Sequence, residues 1–280
     1  MSAAQIARRC RTKPDLTKKL LTACTAMGLL EKRGEGYANT ELSKTYLVRA
    51  SPLYQGDIIA HNAFTRSFWN SLDDEIRLKP SAEHEKPNQH RNFIMGMHNV
   101  AVAVRAKLFL DVVELSGRER LFDVGGGPGT YSIAACKRYR QLSAVVFDLP
   151  ETVEIAKEVI TAAGMQERVN VRAGSWETDD FGCGNDVVLL SDVIHGPASN
   201  AEMKLQKAYD SMVDGGLLVV QEFLLNDEGT GPLAAAFFDM MVGAFSEGEL
   251  LCLIRQAKFL KPRVVHHNER IGSAWITAHK

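Results

Sequence analysis

Cysteine is scarce in this sequence, and its five residues are an odd number with no close pair. Such usage excludes a disulfide framework and argues against a cysteine-based zinc site. It is typical of a protein in a reducing compartment, and the first residues lack the apolar core of a signal peptide. We therefore expect a cytoplasmic protein without a bound metal.

Neither sign of charge is in excess, since 33 basic residues face 34 acidic ones. This balance offers no global electrostatic reason to expect nucleic acid or a membrane as a partner. No uninterrupted apolar run reaches the roughly 18–20 residues that span a bilayer. The apolar share of 45% and the charged share of 24% are ordinary for globular proteins, which excludes disordered, collagen-like and coiled-coil classes. A chain of 280 residues predicts one core of about 150–200 residues and a smaller companion.

Basic residues are nevertheless concentrated at the start of the chain. Residues 1–50 carry ten Lys or Arg and only four acids. The same stretch predicts two helices, the second beginning at Pro14 and ending at Gly28. A short hairpin with a turn at Gly34–Gly36 follows. This order is typical of a winged helix.

The middle of the chain predicts further helices and a domain boundary. Residues 53–78 have the period of amphipathic helices. Residues 78–91 are polar, contain two prolines and predict a connector. A long helix is expected after it. We therefore predict one domain at 1–90 and a second at 91–280.

Beyond residue 120 short apolar runs alternate with helical stretches. The predicted strands are Leu121–Val124, Ala144–Phe147, Val169–Arg172, Asp186–Leu190, Leu217–Glu222, Arg263–His266 and Ala274–Ala278. Apolar strands separated by helices predict an α/β domain whose parallel sheet is covered on both faces. Ligands bind outside the carboxyl ends of such strands, so the site should follow Val124, Phe147, Leu190 and Glu222.

Two of these strand ends carry features of a nucleotide-like site. The run DVGGGPG, residues 123–129, follows the first strand and opens a helix, and its glycines let the backbone pass close to a ligand. It lacks the third glycine of a nicotinamide fingerprint and the Lys of a P-loop. Asp148 ends the next strand, 23 residues after Gly125, where an acid can accept both hydroxyls of a ribose. An N-cap for the helix that starts near Glu151 is the alternative role of Asp148.

The other two strand ends carry titratable groups. An apolar strand leads into Ser191, Asp192 and then His195, whose neutral imidazole could take a proton from a hydroxyl. Glu222 ends the fifth strand at the same edge and could orient that imidazole. On its own, a histidine in this place is more often a packed or surface residue.

The order of these motifs resembles a known family. The winged helix, the helix with FIMGM, DVGGGPG, FDLP, VRAGSW, the strand into His195 and DGGLLVVQE occur in sequence. They look like the small-molecule O-methyltransferases of the caffeic-acid, acetylserotonin and hydroxyneurosporene type, within the class I S-adenosylmethionine-dependent enzymes. The resemblance covers nearly the whole chain. It implies a Rossmann-like, mostly parallel seven-stranded sheet, an N-terminal helical dimerisation domain and a homodimer.

The resemblance also implies site residues and S-adenosylmethionine as cofactor. The implied cofactor contacts are Asp123, Gly125, Gly127, Gly129, Asp148, Leu149, Gly174, Ser175, Trp176 and Ser191. The glycines would approach the methionine part, Asp148 the ribose, and residues 174–176 the adenine. His195 matches the general base that removes a proton from the acceptor hydroxyl, and Glu222 matches one of two glutamates that brace it. Phe93 and Met97 match residues that line the pocket of an aromatic or largely apolar acceptor.

Four positions depart from the family pattern. Ser175 replaces an Asp, and the usual His-Asp-Trp reads His-Gly-Pro at residues 195–197. Ala244 stands where the second bracing glutamate is expected, so the imidazole keeps one carboxylate partner. Relatives often carry a further dimerising helix upstream, so we expect either a short N-terminal unit or a start further upstream.

Methyl transfer to a hydroxyl is the leading hypothesis, and two others stay open. The fold could use the same cofactor for carbon methylation or other chemistry. The loss of one of the two glutamates that brace the histidine could accompany such a change of reaction. The basic N-terminal segment could instead belong to a DNA-binding regulator with a ligand-sensing domain, with Lys18 and Lys19 at the duplex. The apolar residues of the same helix favour dimer packing over DNA contacts.

Overall fold

The computed structural model of the chain describes residues 1–77 and 88–280. These residues fall into two compact units, Met1–Val100 and Ala101–Lys280. Most of the predicted connector, residues 78–87, lies outside the described residues. The predicted domain boundary after residue 90 precedes the division between the units.

The first unit begins with two helices and a hairpin, in the predicted order. Its first elements are α1 (Ala3–Cys10), α2 (Pro14–Ala26), β1 (Leu30–Arg33), β2 (Gly36–Asn39) and α3 (Glu41–Tyr46). Ser2 and Gln5 form a capping box at the start of α1. Pro14 occupies the first turn of α2, and Gly28 follows the helix with a φ of +72°. Strands β1 and β2 pair antiparallel.

The rest of the first unit consists of packed helices. These are α4 (Gly56–Asn70), α5 (Leu72–Ile76) and α6 (Gln89–Val100). The buried Asn99 side chain of α6 accepts hydrogen bonds from the N–H groups of Asp57 and Ile58, at 3.2 and 3.4 Å, and so caps the first turn of α4. A Cβ at Gly96 would lie 3.1 Å from Ile58 Cα, so glycine lets the two helices approach closely.

A π-helical segment, Ala101–Arg105, and helix α7 (Ala106–Val112) open the second unit. By length and composition alone, the helical run Gln89–Val112 is long and apolar enough to cross a membrane, the one such run among the described residues. Core helices of soluble proteins meet the same criterion. About a third of the apolar stretch within this run is buried inside the protein.

A mostly parallel sheet forms the second unit. Its strands are β3 (Arg120–Val124), β4 (Ser143–Asp148), β5 (Val169–Ala173), β6 (Asn185–Ser191), β7 (Met212–Leu225), β8 (Phe245–Ser246), β9 (Leu260–Asn268) and β10 (Ser273–His279). They follow the order β5-β4-β3-β6-β7-β10-β9, with β8 beside the end of β7. Strand β10 is antiparallel to both neighbours. All seven predicted strands are present within wider bounds, and the largest difference is in β7, which runs from Met212 to Leu225 and not only from Leu217 to Glu222.

Five helices accompany the sheet. They are α8 (Thr130–Arg138), α9 (Pro150–Ala162), α10 (Ala201–Ser211), α11 (Leu233–Val242) and α12 (Glu247–Gln256), with a single 3₁₀ turn at Pro197–Ser199. The sequence did not indicate α11, because its ten residues are almost uniformly apolar and show no helical period.

Apolar cores form on both faces of the sheet. Along β6, Val188 and Leu190 belong to one core cluster and Val187 and Leu189 to the other. This alternation explains why the strand reads as one continuous apolar run. Because β3, β4, β6 and β7 run parallel, their carboxyl ends lie along one edge, where the candidate site is found.

Candidate active site

The glycine turn after β3 faces open space at Gly127 and packs against side chains at Gly125 and Gly129. Gly125, Gly127 and Gly129 have φ angles of +62°, +53° and +75°. A Cβ at Gly125 would lie 2.5 Å from Val193 Cγ1, whereas no atom lies within 4 Å of the Cβ position of Gly127. Gly129 is the N-cap of α8 and no side chain caps that helix. A ligand can therefore approach the turn and its N–H groups closely.

Asp148 ends β4 and holds this turn. Its Oδ2 accepts a hydrogen bond from Gly127 N and its Oδ1 one from Leu149 N, each at 2.8 Å. The N-cap position of α9 belongs to Leu149, and that helix has no side-chain cap, so an N-cap role for Asp148 is wrong. A carboxylate oxygen can accept more than one hydrogen bond, so these contacts leave Asp148 able to bind ligand hydroxyls.

Asp123 lies beneath the turn and is buried. Ser132 Oγ donates to Asp123 Oδ2 at 2.7 Å, while Oδ1 is buried and has no hydrogen-bond partner among the residues the structure describes. Burial raises the pKa of Asp123 to about 7, although the hydrogen bond from Ser132 acts in the opposite direction. The site thus holds a buried acceptor that no described residue satisfies.

The segment after β5 forms a wall of the same space. Gly174 N donates to the Asp148 carbonyl at 3.0 Å, which places the segment beside the end of β4. The Trp176 ring stands against the glycine turn, with its Cζ3 3.0 Å from the Cβ position of Gly125. Ser175 N donates to Asp179 Oδ2 at 2.8 Å, so a carboxylate does lie here, four residues beyond the position where the family has it.

His195 and Glu222 meet at the ends of β6 and β7, as predicted. His195 Nδ1 lies 3.1 Å from Glu222 Oε2, and Glu222 Oε1 accepts from the N–H groups of Val193 and Ile194, each at 2.8 Å. The glutamate is almost completely buried, while about a quarter of the imidazole side chain is exposed. One carboxylate therefore holds both the ring and the backbone that leads to it.

The imidazole is more basic than an ordinary histidine. Burial lowers the pKa of His195, but the hydrogen bond and charge of Glu222, together with the charge of Asp192, raise it above its usual value. Burial raises the pKa of Glu222, opposed by the hydrogen bond from His195. The arrangement suits a base whose protonated form is stabilised.

A buried lysine connects the two halves of the edge. Lys204 Nζ donates to the Val193 carbonyl at 2.7 Å and lies 4.1 Å from the centre of the Trp176 ring. Its side chain lies on the buried face of α10, between Ala201 and Ala208. The sequence analysis missed Lys204, although a lysine within an apolar helical stripe was the signal that could have found it.

Ser191 and Asp192 leave β6 beside the glycine turn. Ser191 Oγ donates to Gln221 Oε1 at 2.8 Å on the neighbouring strand. Arg105 Nη1 donates to Asp192 Oδ2 at 2.7 Å. Arg105 was not predicted; it shares one face of its helical run with the buried Ala101 and Phe109, four residues away on either side.

Aromatic rings approach the imidazole from α11. The rings of His195 and Phe238 meet edge to face at 5.2 Å, and Phe238 contacts Phe223 at 4.7 Å. Ala244 lies against the residue after the histidine, since a Cβ at Gly196 would be 2.9 Å from Ala244 N. The position of the missing second glutamate is thus close to the base, and the base itself contacts an aromatic ring.

Two predicted acceptor residues lie in the first unit. Phe93 and Met97 are four residues apart on α6, and the Phe93 ring contacts the ring of His61 at 5.1 Å. Phe93 is exposed and Met97 half-buried. Their role in acceptor binding stays a prediction.

The residues present fit S-adenosylmethionine. The open space over Gly127 admits the ligand backbone, and Asp148 is an acceptor for a ribose diol. The unsatisfied Asp123 Oδ1 offers a buried acceptor beneath the turn. A parallel sheet with one antiparallel strand inserted before its edge, carrying this site, defines the class I S-adenosylmethionine-dependent methyltransferases.

Comparison with known proteins specifies the family within that class. The model of the O-methyltransferase domain matches residues 61–257, and that of the O-methyltransferase dimerisation domain matches residues 1–49. The chain belongs to this O-methyltransferase family and is an S-adenosylmethionine-dependent enzyme that methylates small molecules.

Relatives of known activity include oxygen and carbon methyltransferases. The 3-hydroxy-5-methyl-1-naphthoate 3-O-methyltransferase of Streptomyces sahachiroi is 35% identical, over 81% of this chain and 69% of its own. The L-tyrosine C(3)-methyltransferase of Streptomyces lavendulae is 32% identical over 60% of this chain and 46% of its own. Human N-acetylserotonin methyltransferase, solved in complex with S-adenosylmethionine, superimposes with a TM-score of 0.85 at 25% identity, covering 100% of this chain and 87% of the human one.

Proposed function

We propose that this enzyme transfers a methyl group from S-adenosylmethionine to a hydroxyl of a small aromatic acceptor, with His195 as the general base. The observation that carries the proposal is the contact between His195 Nδ1 and Glu222 Oε2 at the carboxyl edge of the sheet. When bound, S-adenosylmethionine supplies a methyl group on a positively charged sulfur, and this sulfur is a good leaving group. The protein then needs to align the acceptor and remove one proton.

The proposed proton path runs through the imidazole. With Nδ1–H donating to Glu222, the lone pair of Nε2 is the one that accepts the hydroxyl proton. The imidazolium formed is stabilised by the charge of the Glu222 carboxylate. Glu222 also holds the N–H groups of Val193 and Ile194, which keeps the ring in place.

The cofactor is proposed to lie across the ends of β3, β4 and β5. Gly125, Gly127 and Gly129 would face its methionine part, and Asp148 would accept the ribose hydroxyls. The remaining proposed contacts are Asp123, Leu149, Gly174, Ser175, Trp176 and Ser191. The contact of Asp148 with Gly127 supports this proposal, because it pairs the ribose acceptor with the turn.

Two observations support an aromatic acceptor. Phe238 and Phe223 pack beside His195 and give that side of the site an aromatic surface. The most similar relative cited above methylates a hydroxynaphthoate, by its name.

The test is a panel of hydroxylated aromatic compounds with labelled S-adenosylmethionine. His195→Ala should lower kcat by roughly 10²–10⁴, the usual contribution of a positioned general base. Its affinity for the cofactor should stay near that of the wild type. His266→Ala, on β9, is the matched control and should leave kcat unchanged. Near-normal turnover of His195→Ala would contradict the assigned base.

Carbon methylation is the second candidate. The relationship to a tyrosine C(3)-methyltransferase favours it, as does the absence of the second bracing glutamate at Ala244. The position of the methyl group in the product, read by NMR, separates the two candidates. A methyl on a ring carbon, with turnover that survives His195→Ala, would support the second and overturn the first.

A homodimer is proposed on the basis of the dimerisation domain. Leu16, Leu20 and Met27 of the N-terminal helical segment are 59%, 63% and 71% exposed, an apolar surface that a single chain leaves uncovered. Light scattering at micromolar concentration should report twice the 30.9 kDa of one chain. A value of one chain mass would contradict the proposal.

A further inference from the structure

Arg105 and Asp192 form an ion pair that the proposed mechanism does not use. Arg105 Nη1 donates to Asp192 Oδ2 at 2.7 Å, and each side chain is only about a fifth exposed, at 22% and 23%. Asp192 has a φ of +53°, a conformation uncommon for residues other than glycine and often found at functional sites. Arg105 ends a π-helical segment, a second irregularity of the kind found at such sites.

The pair lies beside the glycine turn. Val124 of β3 pairs with Leu190 of β6, so the turn and the segment Ser191–Asp192 leave the sheet side by side. Val193, the next residue, would touch a Cβ placed on Gly125. The ion pair therefore borders the space in which the methionine part of the cofactor is proposed to lie.

The polar surroundings of the pair are incompletely satisfied. Asp192 Oδ1 is buried and has no hydrogen-bond partner among the described residues. Arg105 carries five N–H donors, and its guanidinium has two side-chain hydrogen-bond partners, Asp192 at 2.7 Å and the hydroxyl of Tyr131. Its guanidinium also lies over the Phe223 ring, 5.2 Å from the ring centre. The pair thus offers a buried acceptor without a partner among the described residues, beside a guanidinium with more donors than Asp192 and Tyr131 use.

We propose that Arg105 and Asp192 bind the amino-acid end of S-adenosylmethionine, the guanidinium contacting the α-carboxylate and Asp192 Oδ1 accepting from the α-ammonium group. The assignment rests on the proposed function. A neutral pair of opposite charges complements a neutral zwitterion, whereas an arginine without its aspartate would favour a net anion. An ion pair with a purely structural role gives no reason for a buried Oδ1 without a partner.

Binding of three ligands to the full-length protein tests the subsite by calorimetry. S-adenosylhomocysteine has both the ammonium and the carboxylate group, decarboxylated S-adenosylmethionine has only the ammonium group, and 5′-methylthioadenosine has neither. Arg105→Gln removes the charge but keeps a donor toward Asp192. Lys107→Gln removes a charge from the same helical run, at an exposed side chain that pairs with Asp111, and is the matched control.

Each variant should affect the ligands differently. Arg105→Gln should weaken S-adenosylhomocysteine by about tenfold to a hundredfold, the usual contribution of a charge-assisted hydrogen bond. The other two ligands lack the carboxylate, so their affinities should change by less than about twofold. Asp192→Asn should weaken decarboxylated S-adenosylmethionine by about tenfold and leave methylthioadenosine unchanged. Lys107→Gln should change none of them.

Two outcomes would overturn the subsite while leaving the proposed function standing. One is an equal loss of affinity for S-adenosylhomocysteine and methylthioadenosine in Arg105→Gln, which indicates a structural ion pair. The other is unchanged binding of both with a raised KM for the acceptor, which assigns the pair to the acceptor pocket. If the wild type binds none of the three ligands, the proposed function itself fails. Should Arg105→Gln not fold, Arg105→Lys is measured instead, and equal losses there again overturn the proposal.

Discussion

The cofactor half and the base half of the sheet edge are built in different ways. At the ends of β3 and β4 the groups that face the site are mainly backbone N–H groups, and Asp148 is held by two of them. At the ends of β6 and β7 the groups are buried side-chain charges. Glu222 holds His195, and Lys204 holds the loop before it. Arg105 pairs with Asp192.

This difference determines how each half responds to substitution. A backbone turn depends on local conformation, so it tolerates changes that spare its glycines and Asp148. A cluster of buried charges depends on every partner, because removal of one leaves another unpaired in a low dielectric. Substitutions at His195, Glu222 and Lys204 should therefore affect turnover. Substitutions in the cofactor half, and in the Arg105–Asp192 pair that borders it, should affect binding.

Among the residues that support the base, Glu222 should show the largest effect, in the variant Glu222→Gln. The Gln carbonyl can still accept from Val193 and Ile194, but its amide would then donate to His195 Nδ1. The imidazole would carry its proton on Nε2 and could no longer accept one there, so kcat should fall by about 10²-fold or more. The fall should not exceed that of His195→Ala. Unchanged kcat, measured with saturating cofactor, would contradict the assigned tautomer.

Asp148→Ala should be the largest effect in the cofactor half. The variant removes an acceptor for the ribose and a partner of Gly127 N, so S-adenosylmethionine should bind about 1.5–3 kcal/mol more weakly. Calorimetry measures the loss, and kcat at saturating cofactor should fall much less. A folded variant with wild-type affinity would leave Asp148 as a support of the turn alone.

Lys204→Met should have an effect of intermediate size, and it tests whether the two halves respond differently. The apolar stem is kept, but the Val193 carbonyl loses its donor, so the free energy of unfolding should fall by about 1–3 kcal/mol. The control is Lys207→Met, since Lys207 Nζ donates to the Trp176 and Asp179 carbonyls and not to the loop before His195. Lys204→Met should lower kcat, whereas Lys207→Met should lower the affinity for the cofactor. If Lys204→Met lowered cofactor affinity and Lys207→Met lowered kcat, the proposed difference between the two halves would be wrong.

The smallest effect concerns pH. Turnover should rise as His195 loses its proton, and since its pKa is raised, the midpoint should lie above the ordinary value of about 6.5. Ala244→Glu adds a carboxylate near the imidazole and should move the midpoint upward by up to about one pH unit. The pH profile of kcat/KM measures both. A downward movement in Ala244→Glu would contradict a base that titrates in this range.

The two halves also differed in how far they could be predicted. The glycine turn and Asp148 were predictable because their requirement is local: a backbone approach needs glycine, and an acid must follow the next strand. The meeting of His195 and Glu222 was predictable because both follow parallel strands. Lys204 and Arg105 were missed, because no local sequence pattern links either residue to its partner. Arg105 pairs with Asp192, 87 positions away, and Lys204 with the carbonyl of Val193 in the loop after β6.

The sequence by itself determined the seven strands, the edge at which the site lies and the family resemblance, because these depend on short-range patterns of apolar residues and glycine. Only the tertiary structure decided which charges pair. It brought Arg105 to Asp192 across 87 positions and Lys204 to the carbonyl of Val193. It also placed Phe238 against His195 from a helix whose uniform apolar composition carried no period. The physical reason is that a buried charge is stabilised by whichever opposite charge or carbonyl the packing brings near, and packing is a property of the whole fold.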